Sequence, residues 1–227
     1  MITLSQRENH LKSNLTILLA CTTLCTLSAN ATIVQVDIVG SVDFGGVNIG
    51  QWASAGAGDS VVMSFQVDSN NFVDSGVFPV RGYEVIQSSF SLSIDGNTAG
   101  LAGAQPFGSP YFVLRNDDPA VDGFFLGQNI DGFPSGIATD ESAQIADTFD
   151  ALFQATYEGT RLDSLDILDA VGNYDFTGLS VFNWGLEDGP VQPMGFIFDH
   201  WSITAVPTPA SVIVLAPLGL MTTRRRR

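Results

Sequence analysis

Histidine, cysteine and lysine, the side chains most often used for nucleophilic and proton-transfer chemistry near neutral pH, are nearly absent from the middle of this 227-residue chain. The two cysteines, Cys21 and Cys25, the one lysine, Lys12, and His10 all lie near the N-terminus, which leaves His200 as the sole imidazole of the middle. A Ser-His-acid arrangement would have to be built on that residue alone. Its context, FIFDHWSIT, reads as a strand in which the imidazole is a structural or solvated group. A glycosidase needs two facing carboxylates, and the glutamates of the middle, Glu84, Glu141, Glu158 and Glu187, follow no such spacing. No catalytic residue is assigned, and the chain is expected not to be an enzyme.

Two binding chemistries are open. A single histidine cannot make a zinc cluster, but calcium takes oxygen ligands, and Asn116, Asp117, Asp118 and Asp122 in NDDPAVDG form the best oxygen-rich loop. The spacing is not that of a regular calcium loop, so a solvated turn competes with a bound ion. Sugar rings stack on flat aromatic faces, which makes Trp52, Trp184 and Trp201 candidate carbohydrate contacts, with Tyr83 and Tyr111 beside them. Trp184 and Trp201 stand in the most strand-like stretches, where a tryptophan can equally fill a core.

The elements that would position these residues read as strands. Apolar and polar residues alternate through TIVQVDIVGSVDF from Thr32 and through SVVMSFQV from Ser60, the period of a half-buried strand. Further strands are expected in Tyr83–Asp95, Tyr111–Arg115, Gly123–Gly127, Gly178–Leu186 and Met194–Ala205. Asp-Gly, Asn and Pro clusters such as DGN at Asp95 and DGP at Asp188 punctuate them as turns. The stretch ESAQIADTFDALFQATYE from Glu141 fits helix and strand alike, and DSLDILDAV from Asp163 admits one short helix. The expected fold class is all-β, a β-sandwich of jelly-roll type with at most one or two short helices.

Charge narrows the partners. The chain carries a formal charge of −15, yet of its nine basic residues only Arg81, Arg115 and Arg161 fall between Thr32 and Ala205, while Glu8 is the only acid outside that segment. A middle so depleted of cations repels phosphate backbones, which excludes nucleic acid as a partner.

The two ends carry different signals. Near the N-terminus, weakly basic residues precede an apolar stretch from Ile17 to Leu24 and then Ala29-Asn30-Ala31, the order of a secretory signal with an AxA cleavage site ending at Ala31. LLAC at Leu18–Cys21 looks loosely like a lipoprotein box, a competing use of the same stretch. At the other end, Val206-Pro207-Thr208-Pro209 precedes an apolar run from Val212 to Met221, followed by Arg224, Arg225, Arg226 and Arg227. That run is about half the ~20 apolar residues of a spanning helix. Pro207 and Pro209 hold their neighbourhood extended, as a protease requires of a substrate.

The order of proline motif, apolar segment and arginine cluster resembles a PEP-CTERM sorting signal, with Thr208 in place of the glutamate of the commonest form. The resemblance covers about the last 22 residues. It implies a short hydrophobic sorting helix in transient contact with the inner membrane, processing by an exosortase-type enzyme after signal peptidase, and a bacterial source of Gram-negative type that makes extracellular polysaccharide. The expected organisation is a signal peptide over 1–31, an ectodomain over 32–205 and a sorting segment over 206–227. The expected function is that of an exported structural or adhesive protein of the cell surface or extracellular matrix. A lectin-like module for exopolysaccharide, assisted by calcium, is the alternative, and a secreted polysaccharide hydrolase ranks last.

Overall fold

The structure is a computed structural model and describes residues 32–117, 121–131 and 135–206. Ala29, Ala31, Asp118, Pro207, Thr208, Pro209 and the four terminal arginines lie outside the described residues.

Period-two patterning becomes strand from Ile33 and from Ser60, but the strand expected over Tyr83–Asp95 is broken by a 3-10 turn at Gln87–Ser89 into two. In β1 (Ile33–Gly45), Val34, Val36, Ile38, Gly40 and Val42 are buried while the residues that alternate with them are half-exposed. Eleven more strands follow in chain order: β2 (Ser60–Asp74), β3 (Val80–Val85), β4 (Ser91–Ile94), β5 (Asn97–Ala99), β6 (Tyr111–Arg115), β7 (Val121–Gly127), β8 (Ile137–Ser142), β9 (Thr148–Glu158), β10 (Gly172–Tyr174), β11 (Leu179–Asp188) and β12 (Val191–Val206). The ambiguous stretch after Glu141 resolves as the end of β8 and the whole of β9. The segment from Asp163 is a series of turns rather than a helix, and two 3-10 turns, Gly50–Trp52 and Gln87–Ser89, are the only helical elements among the described residues.

The all-β expectation holds, but the sandwich is corrected to a closed barrel. β1 pairs on one side with β12 and on the other with β2, so the order β1-β12-β11-β9-β7-β6-β3-β2 returns to its start as a ring of eight strands. Sandwich and barrel share the same period-two signal. Closure removes the exposed edges that an open sheet would offer for pairing.

An eight-stranded barrel is just wide enough for side chains to fill, and here aromatic rings fill it. Phe124 meets Trp201 edge-on at 4.8 Å, Trp201 meets Phe153 at 5.5 Å, and Phe112 stacks beside Phe124 at 6.1 Å. The expectation that tryptophans contact sugar is overturned by this packing: Trp52, Trp184 and Trp201 are all 2 % exposed or less. Trp52 donates its indole N–H to the Asn97 carbonyl at 3.0 Å, and Trp201 donates to the Tyr157 hydroxyl at 3.0 Å.

One barrel mouth, where β1 begins and β12 ends, is plugged by residues 160–176. The buried Tyr83 hydroxyl donates to the Leu165 carbonyl at 2.7 Å and accepts the Ile167 N–H at 3.0 Å. Tyr174 on β10 lies flat on Trp201 at 4.0 Å. Halfway along the barrel the wall forks. β2 exchanges β3 for β4, β9 exchanges β7 for β8, and the two new branches meet through a bridge between Leu101 and Thr139.

Candidate functional site

The fork leaves a groove. Where the ends of β3 and β6 part from the segment after β5, a cavity of about 630 Å³ opens to the surface. Its polar lining is Asn71, Glu84, Gln87, Gln105 and Ser109, with apolar floor from Val85, Ile86 and Leu101.

Hydrogen bonds fix this lining in place. Gln105 bonds the Ala138 peptide on both sides, donating to its carbonyl at 2.8 Å and accepting its N–H at 2.8 Å, as another strand would. Gln87 donates to the Ala102 carbonyl at 3.1 Å, which ties the β3 side of the groove to the opposite wall. Asn71 donates to the Glu84 carboxylate at 2.9 Å. On the loop that makes one wall, Phe107 is 77 % exposed.

Such a site is suited to hydroxyl groups. Amides donate and accept at once, matching the dual character of a sugar hydroxyl, and an apolar floor takes its C–H face. Among the described residues Glu84 is the one carboxylate in the lining.

The expected site residues are scattered. His200 is exposed on β12, beside a bulge that shifts the register between Val39 and Gly40 of its partner strand. Asp122 turns inward and is fully buried, where its carboxylate accepts N–H groups from Asp117 at 3.0 Å, Leu162 at 2.7 Å and Arg161. In this arrangement the carboxylate clamps two loops together. Among the described residues no group of three His, Cys, Asp or Glu side chains is gathered as for a metal. Asn116 is near Asp122 in sequence, and its side-chain oxygen is buried without a hydrogen-bond donor.

Sequence reasoning missed the groove, whose residues come from β2, the end of β3 and a loop with no strong pattern. It also missed Asp188, a second buried carboxylate, which accepts the consecutive N–H groups of Gln144, Ile145 and Ala146 at 3.0, 2.8 and 2.7 Å. Burial alone would push this carboxyl upward, but the three donors outweigh it and hold it below the usual range. On the outer face, the cross-strand partners Asp150 and Glu187 are both pushed up, Asp150 by burial and Glu187 by burial and then by the neighbouring charge.

No family model matches this chain, and no curated protein or solved structure matches it.

Proposed function

We propose that this chain is an exported, noncatalytic protein of the cell surface or extracellular matrix, delivered by the signal-like N-terminus and the tail that resembles a PEP-CTERM sorting signal. The observation that carries the reading is the pairing of Ile33 with Val206. The AxA site ends at Ala31, two residues before β1, and the proline motif begins on the last residue of β12. Cuts at these two motifs would flank the first and last strands, so that two processing enzymes would not need to unfold the domain.

The barrel supports a structural or adhesive role by its chemistry as well. Closed walls, a strongly acidic composition and a core held without the two cysteines of the leader suit a domain that must persist outside the cell without crosslinks. Fractionation of the producing cells tests the reading. The mature chain is expected in the envelope or the medium, and a mature chain confined to the cytoplasm would sink it.

The amide-lined groove favours a second reading, recognition of exopolysaccharide. The buried tryptophans do not serve it; the exposed rings of Phe72 and Phe107 adjoin the lining residues Asn71 and Gly108 in sequence. A glycan array probed with the full chain, with calcium and with chelator, tests this. Binding that is unaffected by chelator is expected, and no signal on any neutral or acidic polysaccharide would remove the reading.

A further inference from the structure

The mouth at which β12 ends also bears the exposed apolar tip of the β2–β3 hairpin. β2 runs past Ile33, its partner at Asp68, and continues to Asp74 before turning back into β3. At the tip, Val77 is 76 % exposed and Phe78 is 45 % exposed.

The hairpin is braced rather than loose. Asp74 and Arg81 are register partners joined by two hydrogen bonds, at 2.5 and 3.0 Å. The Arg81 guanidinium lies 3.9 Å from the centre of the Phe72 ring, and Phe72 rests on Tyr83 at 5.8 Å. The serine hydroxyl of Ser75 accepts the N–H groups of Val77 and Phe78, so the turn holds both apolar side chains out at the end of a stiff arm.

We propose that Val77 and Phe78 dock into the interface of a lipid bilayer while the C-terminal segment occupies that bilayer. This rests on the membrane-contacting reading of the tail given above. Five residues, from Pro207 to Ser211, separate the end of β12 from the apolar run that starts at Val212. Fully extended they span roughly 20 Å, so the mouth and its hairpin stay within a short reach of the membrane surface. A tether that short raises the local concentration of lipid at the tip to the point where two apolar side chains suffice to engage it. Asp68 stands opposite Ile33, and Asp163, Asp166 and Asp169 belong to the segment bonded to Tyr83 at the same mouth, acidity that selects a zwitterionic surface over an anionic one. Docking orients the barrel and holds the proline motif at a fixed height above the bilayer.

The native tryptophans are buried, so an indole placed at the tip reports alone on contact with lipid. The full chain carrying Val77→Trp is reconstituted into phosphatidylcholine vesicles with bromine on the upper acyl chain. Its fluorescence is compared with that of Val181→Trp on the barrel wall and Met221→Trp in the tail. The expected result is that most of the fluorescence Val77→Trp adds over the parent chain is quenched and little of that added by Val181→Trp, with the tip quench lost when Phe78→Asp is added or when anionic lipid replaces phosphatidylcholine. An unquenched Val77→Trp overturns the proposal whatever Met221→Trp does. A quenched Val77→Trp beside an unquenched Met221→Trp upholds docking and overturns the reading of the tail.

Discussion

Ile33 and Val206 are antiparallel partners, the first residue of β1 against the last of β12. The ring of strands is thus complete between these two residues, with Val34 opposite Ala205 and Val36 opposite Ile203 continuing the seam inward. Residues 32–206 should therefore fold without either end. A chain trimmed to that span is expected to unfold within about 2 °C of the full chain, as measured by thermal melting followed at 218 nm in circular dichroism (about 4–8 °C per kcal/mol for a small domain, less for a larger one). A fall of 10 °C or more would mean that the ends are part of the fold.

The Asp188 carboxylate replaces a missing strand partner for three successive peptides. Asp188→Ala removes the acceptor shared by three N–H groups of a half-exposed turn, which water can then reach, and the expected cost is about 1–2 kcal/mol in urea unfolding. Because its folded pKa lies below the unfolded value near 4, this stabilisation is complete above that value and fades as pH falls through the folded pKa. Asp188→Ala should accordingly show a weaker loss of stability on strong acidification than the parent chain.

Asp150 and Glu187 act in the opposite sense. Both are raised in the folded state, so their charged forms cost stability at neutral pH, and the cost is relieved as pH falls through the raised values toward the unfolded ones near 4. Like charges directly opposite on neighbouring strands are worth up to about 1 kcal/mol. Asp150→Asn is expected to stabilise the barrel at pH 7 by roughly that amount and to leave it unchanged near pH 4. Equal gains at both pH values would show that the substitution acts by packing and not by charge.

Gly40 sits where β1 crosses the β12 bulge, and a Cβ there would collide with the Ile197 carbonyl and the Phe198 backbone. Neither neighbour is a flexible side-chain end. Gly40→Ala should destabilise by about 2 kcal/mol or more, read by chemical denaturation, whereas Gly56→Ala meets open space and should cost far less.

Much of this fold could be read from residue order. The alternation of β1, β2, β11 and β12 fixes which side chains face inward, and Asp95-Gly96, with φ of 49° and 79°, forms the tight hairpin that DGN announces. Closure could not be read, because a strand with partners on both sides has the same pattern as one at a sandwich edge. β5 and β10, three residues each, are too short to show a period. Trp52 stands in GQWAS, a turn-like context, and only the folded chain reveals that it inserts beneath the Asn97 carbonyl and against Phe149 at 6.0 Å. Asp122 and Asp188 both precede glycine and read as turn residues; that each aims its carboxylate at distant peptides depends on contacts 39 to 44 residues away. The groove is assembled from segments whose only shared property is the place where the wall forks.

The groove offers a separate check on recognition. Asn71 is exposed and bonds only Glu84 in the lining, so Asn71→Ala removes a donor without touching the core. If the groove takes a polyhydroxylated chain, affinity for the glycan found on the array should fall about tenfold, equal to 1.4 kcal/mol, with no change in melting temperature. Unchanged affinity would place the binding elsewhere.

The central claim is that the barrel is delivered by two cuts made just beyond its first and last strands. Intact-mass spectrometry of the protein recovered from its producing cells tests this most directly. The account predicts a chain that begins at Thr32 and ends between Val206 and Pro209. A recovered chain that still carries the apolar segment through Arg227 would contradict it.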